Sequence, residues 1–121
     1  MVRGIRGATT VAYNAGAEIL EAVQELLTAM IQENNVLADD MATILFSSTP
    51  DLNSTFPAAG ARAMGLTDVP LFGTQEIDNP LGVPNCIRIL ILWNTDLPLR
   101  AIHHIYLREA IKLRPDIAIQ K

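Results

Sequence analysis

The sequence predicts an α+β fold, a mixed sheet with its helices on one face. Segments with the two-residue repeat of strands interleave with segments that have the 3.6-residue repeat of helices, in the order β-α-β-α-β-β-α-β. Half of the 121 residues are hydrophobic and only 18% are charged, which is more apolar surface than a compact monomer is expected to hide. Oligomerisation would cover it, and the sheet face without helices is free to line a trimer or barrel interior.

The first half of the chain predicts two strands and two helices. Residues 1–10 are the first strand, and Asn14 is expected to cap a helix that begins near residue 15 and ends at Asn34 and Asn35. Residues 41–47 form the second predicted strand. A short helix follows, opened by Pro57 and closed by Gly65. The long helix has one apolar face, made of Ile19, Val23, Leu26, Leu27, Met30 and Ile31.

The second half is predicted to supply the centre of the sheet. Residues 69–77 are an extended segment in which Pro70 and Gly73 favour an edge position or a bulge. Residues 86–94 follow a loop and, as an almost unbroken apolar run, predict the central strand. The remaining elements are a last helix capped by Thr95 or Asp96, with Pro98 in its first turn and Ile102, Ile105 and Tyr106 on its buried side, and a short strand over 111–117.

Length and composition bound the functional classes. At 121 residues we expect one domain, 1–121, with a mobile tail over about 112–121. A net charge of −4 and a pI near 5.0 argue against nucleic acid as a partner. No apolar run approaches the length of a membrane span, and one cysteine with no apolar leader at the N-terminus favours a cytoplasmic protein. Seven of the nine cations are arginine, which favours bidentate recognition of a small carboxylate.

Arg88 is the leading candidate for function. It interrupts the apolar run of the predicted central strand, and a guanidinium among Ile, Leu and Trp requires an anionic partner. Two partners fit: a ligand, or a structural ion pair for which Glu76 is the best acid. Glu76 itself follows the third predicted strand, where it either points inward or remains solvated.

The other polar candidates also have two interpretations each. Arg6 contacts a ligand or pairs at the surface, and Tyr106 either serves the site or packs in the core with its hydroxyl bonded to a backbone group. Cys86 is expected to be a small buried hydrophobe rather than a nucleophile. The adjacent His103 and His104 lack the spacing for two metal ligands on one helical face, so no metal site is expected.

Taken in order, seven motifs resemble one family, the monofunctional trimeric chorismate mutases of the AroH class. The resemblance spans Arg3 to Asp116 without a large gap. The motifs are Arg3-Gly4-Ile5-Arg6-Gly7-Ala8-Thr9-Thr10, Thr49-Pro50-Asp51-Leu52, Phe56-Pro57-Ala58, Gln75-Glu76, Cys86-Ile87-Arg88, Tyr106-Leu107 and Leu113-Arg114-Pro115-Asp116.

The resemblance implies a fold, a reaction and a site. The fold is a homotrimeric pseudo-α/β barrel with active sites between subunits, and the reaction converts chorismate to prephenate without a cofactor. Arg88 then donates to the ether oxygen, Arg6 clamps a carboxylate beside Tyr106, and Glu76 accepts from the ring hydroxyl. Further residues match positions that wall or cover the site: Phe56, Ala58, Arg62, Phe72, Gly73, Thr74, Gln75, Leu113 and Arg114.

A non-catalytic trimer that binds a small carboxylate as a regulator is the alternative, since fold alone does not decide function. The discriminating residue is Glu76. A carboxylate binder gains nothing from an acid that repels its ligand, whereas chorismate carries a hydroxyl that requires an acceptor.

Two departures from the family pattern generate a prediction. Family members often carry lysine at the position of Ala59 and cysteine at that of Gly73. Loss of the lysine removes a peripheral cation that steers a dianion, so we expect a raised KM more than a lowered kcat. Restoring the cation with Ala59→Lys should therefore lower KM in steady-state kinetics, and an unchanged KM would count against this interpretation.

Overall fold

The computed structural model describes residues 1–113 and confirms the predicted α+β class. This part of the chain contains five strands and two α-helices, together with three short 3₁₀ segments. The strands are β1 (Val2–Thr10), β2 (Met41–Ser48), β3 (Leu71–Gln75), β4 (Cys86–Asn94) and β5 (Ile105–Tyr106), and the helices are α1 (Gly16–Asn34) and α2 (Ala58–Ala63). The 3₁₀ turns span Ala38–Asp40, Leu99–Ala101 and Arg108–Leu113. Within these residues, no helix is long and apolar enough to cross a membrane.

The five strands form one mixed sheet in the order β3-β2-β4-β1-β5. β4 lies at its centre, antiparallel to both β1 and β2, as its apolar run predicts. The two edge strands are each parallel to their neighbour, β3 to β2 and β5 to β1. β3 is shorter than the predicted 69–77 segment, and its edge position agrees with the proline at its start and the glycine within it.

Helix α1 covers one face of the sheet. The predicted apolar face of α1 is buried, except for the half-buried Ile31, and it packs on β1 where Gly7 admits it. A Cβ atom at Gly7 would lie 2.5 Å from the Met30 sulfur, so the helix approaches this strand more closely than any side chain allows. The opposite face of the sheet carries no α-helix within the described residues, although the 3₁₀ segment Arg108–Leu113 packs over Ala8 and Tyr106 near the β5 edge, and we call it the open face.

The end of α1 follows the prediction but its beginning does not. Asn35 adopts the left-handed conformation, with φ 54°, and closes the helix by donating its N–H to the Gln32 and Ile31 carbonyls. The residue at the N-cap is Ala15, without a side-chain cap. Asn14 instead uses its side chain across the chain, accepting from the Asn53 and Ser54 N–H groups, each at 3.1 Å. Asn14, the predicted cap, therefore joins two loops by hydrogen bonds and does not cap the helix.

The predicted last helix is wrong. Ile102, Ile105 and Tyr106 are buried as expected, yet Ile105–Tyr106 is the strand β5, paired with β1, and only residues 99–101 form a turn of 3₁₀ helix. Their spacing matches one face of a helix, but pairing with the free edge of β1 decides the conformation. The predicted strand over 111–117 is also wrong as far as Leu113, because Arg108–Leu113 is 3₁₀ helix. The rest of that segment, and of the expected tail, lies outside the described residues.

Thr9 makes a stability prediction. Its Oγ1 is the buried side-chain oxygen for which residues 1–113 offer no hydrogen-bond partner, and the residue is 0% exposed. Thr9→Val replaces this unpaired hydroxyl with a methyl group of the same shape and should raise the free energy of unfolding by about 1 kcal/mol. Thr10→Val is the matched control, because Thr10 Oγ1 accepts from the Glu109 N–H at 3.3 Å, and it should lower stability. Denaturant unfolding of both variants measures the difference, and a less stable Thr9→Val would refute the assignment.

Candidate active site

One row of side chains crosses the open face over all five strands. The registers align Arg88 of β4 with Ser47 of β2 on one side and Ala8 of β1 on the other. The row continues to Thr74 of β3 and Tyr106 of β5 at the two edges. Because the neighbours of Arg88 on both sides are small, its guanidinium stands above a shallow floor instead of packing between large side chains.

Arg88 and Glu76 form an ion pair, with Arg88 Nε 3.2 Å from Glu76 Oε1. Glu76 follows directly after β3, where its N–H donates to the Ser48 carbonyl at 2.8 Å and so fixes the carboxylate beside the row. The Arg88 side chain is 48% exposed and Glu76 24%. The expectation that the guanidinium lies among Ile, Leu and Trp is therefore wrong for the single chain. Alternation places Arg88 on the open face, while Ile87 and Ile89 point into the core.

Arg6 and Tyr106 form the second polar pair. A terminal nitrogen of Arg6 donates to the Tyr106 hydroxyl at 2.8 Å, and Tyr106 is 3% exposed, so a buried phenol holds one arm of an exposed guanidinium. Arg6 lies in the next row of the open face, where the registers align it with Leu90 and then Leu45. The Tyr106 ring is buried, as the core interpretation expects, but its hydroxyl bonds to Arg6 and not to a backbone group.

The two pairs line one cavity of about 280 Å³. The four candidate residues Arg6, Glu76, Arg88 and Tyr106 all contribute to its walls, together with Leu45, Ser47, Thr74 and Leu90. The cavity therefore presents two guanidiniums, one carboxylate and one phenol over an apolar floor. Such a set binds a small organic anion and orients a hydroxyl group on it.

A turn after β2 fixes the strand that carries Arg88. Thr49 Oγ1 accepts the Cys86 N–H at 3.0 Å, and Thr49 N–H donates to the Cys86 carbonyl at the same distance. Asp51 accepts a hydrogen bond from the Asn85 N–H at 3.0 Å and another from the Thr49 hydroxyl. The beginning of β4, two residues before Arg88, is therefore held by side chains as well as by the sheet ladder.

Cys86 behaves as the sequence predicts. It is 1% exposed, and burial raises the pKa of its thiol, although the nearby Arg88 charge acts in the opposite direction. A raised pKa keeps the sulfur protonated near neutral pH, which removes the nucleophilic form. Within residues 1–113, no cluster of three or more His, Cys, Asp and Glu side chains could hold a metal ion.

The residues expected to wall the site divide between two places. Thr74 lines the cavity, Phe72 lies in the adjacent row of the open face with 60% exposure, and Leu113 packs beside Tyr106 and Ala8. Five others lie away from Arg88 in a separate groove of about 770 Å³, to which Thr74 also contributes: Phe56, Ala58, Arg62, Gly73 and Gln75. Arg114 lies outside the described residues.

Sequence reasoning missed the small residues of the floor and the anchors of the polar groups. Only the strand register places Ser47 and Ala8 beside Arg88, and the sequence alone does not supply that register. Leu45 and Leu90 read as core, because alternation shows which residues share a face but not whether that face is covered. His104 was not among the predicted site residues, yet its Nδ1 accepts the Arg6 N–H at 3.0 Å.

The fold and the cavity define a small α+β protein in which two arginines line one cavity, and proteins of known family resemble it in sequence and fold. The sequence profile of the chorismate mutase type I family matches residues 2–117. The chorismate mutase AroH of Thermus thermophilus is 46% identical over 118 residues, 97% of this chain and 97% of that protein. The AroH of Bacillus subtilis is 42% identical over 122 residues, covering 100% of this chain and 96% of that protein.

A solved structure agrees with these sequences. A chorismate mutase from Clostridium thermocellum superimposes with a TM-score of 0.87 at 42% identity, covering 89% of this chain and 96% of that chain. The chain belongs to the chorismate mutase type I family, as the seven motifs predicted.

Proposed function

We propose that the cavity of the open face binds chorismate and converts it to prephenate. The reaction is an intramolecular rearrangement in which one carbon–oxygen bond breaks and one carbon–carbon bond forms, so atoms and electrons balance without a co-reactant. Family membership supports the activity and disfavours the regulatory alternative. The observation that carries the assignment to this cavity is the Arg88–Glu76 pair beside the Arg6–Tyr106 pair.

Arg88 is the group that acts on the transition state in this proposal. Negative charge grows on the ether oxygen as the carbon–oxygen bond breaks, and a fixed guanidinium stabilises that charge more than it stabilises the neutral ether. The Glu76 carboxylate holds Arg88 through Nε, and in our proposal the terminal nitrogens donate to the ligand. Little reorganisation is then required when the charge develops.

Arg6, Tyr106 and Glu76 hold the substrate in the reactive shape. Arg6 binds a substrate carboxylate while its contact with the Tyr106 hydroxyl fixes the direction of the guanidinium. The Glu76 carboxylate accepts a hydrogen bond from the ring hydroxyl of the substrate and repels a misplaced substrate carboxylate. Chorismate must fold so that its two reacting carbon atoms meet, and part of the barrier is removed by selecting that conformer.

Two neighbouring chains complete each site in our proposal. The groove lined by Phe56, Arg62 and Gln75 carries residues expected around the ligand, yet it does not face Arg88 within one chain. The open face leaves Phe72 60% exposed and Phe56 lies 78% exposed near the groove, which is apolar surface suited to burial between subunits. A homotrimer in which the groove of one chain covers the cavity of the next accounts for both sets. The cytoplasmic location expected from the sequence remains a prediction.

Removal of the Arg88 charge tests the reaction. Arg88→Ala should lower kcat by about 10²–10³, the usual effect of losing one preorganised donor to a developing oxyanion. The measurement is the ultraviolet loss of chorismate with purified protein, and Arg88→Lys separates charge from guanidinium geometry. Arg100→Ala, an exposed arginine away from the cavity, is the matched control and should leave kcat unchanged. A folded wild-type protein that does not convert chorismate would refute the proposed function.

Mixed trimers test the shared site. Arg88→Ala disables the cavity of a chain and Arg62→Ala disables its groove, so each variant alone should be impaired. When the two are co-expressed with different tags, a chain with an intact cavity meets a chain with an intact groove at about one site in four, and activity should return to that level. A site built within one chain would gain nothing from mixing, since every chain carries one defect.

A matched control variant is available for the Ala59→Lys experiment. Ala59 lies on α2, the helix that carries Arg62, and Ala63 ends that helix on an exposed position. Ala63→Lys therefore adds an equal charge to the same helix and controls for net charge alone.

A further inference from the structure

The Arg6 main-chain N–H lies where the sheet ladder ends. β5 is only two residues long, and its pairing with β1 aligns Ala8 with Tyr106, while the Leu107 N–H donates to the Ala8 carbonyl at 2.9 Å. Arg6 is two residues before Ala8, so its N–H points to the same edge. If the parallel ladder continued by one step, the carbonyl of His103 would accept the Arg6 N–H.

Asn34 prevents that step. This residue ends α1 and is 7% exposed, and its side-chain amide binds both main-chain groups of His103. Asn34 Nδ2 donates to the His103 carbonyl and Asn34 Oδ1 accepts the His103 N–H, both at 2.9 Å. The carbonyl that would continue the ladder is turned to the helix, and Arg6 needs another acceptor.

His104 provides that acceptor through its ring. Its Nδ1 lies 3.0 Å from the Arg6 nitrogen. A main-chain N–H only donates, so Nδ1 must be the unprotonated ring nitrogen and the imidazole is neutral. The same short segment therefore binds Arg6 twice: His104 holds its backbone, and Tyr106, two residues later, holds its guanidinium at 2.8 Å.

We infer that His104 is a positioning residue for Arg6, acting through its Nδ1 acceptor on the strand that carries the carboxylate clamp. This inference rests on the proposed function. Loss of the acceptor frees the edge of β1 at Arg6 and loosens the register between Arg6 and Tyr106, while the Arg88–Glu76 pair on the central strand is untouched. Substrate binding should weaken, and the rearrangement step should be affected less.

A series at position 104 tests the inference by kinetics. His104→Asn places Oδ1 where Nδ1 stands and keeps the acceptor, His104→Gln moves the acceptor one atom further out, and His104→Ala removes it. We expect KM for chorismate to rise about fivefold to tenfold in the Ala and Gln variants, the effect of one lost hydrogen bond, with Asn close to wild type and kcat little changed in all. His103→Ala is the matched control, because its backbone stays bound by Asn34 and its side chain is exposed.

Amide hydrogen exchange provides a readout that does not depend on turnover. The Arg6 amide should be protected in wild type and in His104→Asn, and should exchange faster in His104→Gln and His104→Ala. Equal KM values across the series, or equal impairment of the Asn and Ala variants with equal Arg6 exchange, would overturn the inference. If His104→Ala does not fold, the comparison of Asn with Gln decides. Absence of chorismate turnover in wild type would refute the proposed function, and the exchange result would still judge His104.

Discussion

One-sided covering of the sheet is the constraint on which the rest of the structure depends. Because α1 packs on one face and Gly7 admits it closely, every second residue of the three central strands points into the core. The residues between them must point the other way, onto the open face. This is why the apolar strand β4 can contain an arginine. Ile87 and Ile89 point to one side and fill the core, while Arg88 points to the other side and reaches the open face. The cavity is a consequence of strand alternation combined with the absence, within the described residues, of an α-helix over this face.

The same constraint explains what the sequence could and could not predict. The central strand was predicted with its observed bounds, because an apolar run of that length suits a strand with neighbours on both sides. The expected surroundings of Arg88, among Ile, Leu and Trp, were wrong, because a run of apolar residues does not show which of its two faces a helix covers. An apolar sheet face that is open in one chain has the same sequence pattern as a buried face. Whether such a face is core depends on what packs against it.

The last helix failed for a related reason. Ile102, Ile105 and Tyr106 have helical spacing, but their conformation is decided by the free edge of β1, more than ninety residues earlier in the chain. The prediction for Asn14 was wrong for the same reason: a local helix cap was expected, but the side chain contacts Asn53, which is distant in the sequence. Contacts between distant segments are not visible in a single sequence. The four polar residues that line the cavity were all candidates from the sequence, and Arg88 stood out because it interrupts an apolar run; their roles remain predictions. A resemblance to a family then grouped them, which local patterns alone could not do.

The arrangement of charge in the cavity gives the proposed reaction a direction. Arg6 carries no carboxylate partner among the ion pairs of residues 1–113, whereas Arg88 is already paired with Glu76. A dianion entering the cavity therefore meets its strongest attraction at Arg6 and a partly neutralised cation at Arg88. In our proposal Glu76 disfavours a carboxylate there and favours a hydroxyl, so the substrate turns its ether oxygen, and not a carboxylate, toward Arg88. In our proposal the ion pair lowers the attraction of Arg88 for the ground state, while Arg88 still donates to the charge that appears only as the bond breaks. That difference between ground state and transition state is what catalysis requires.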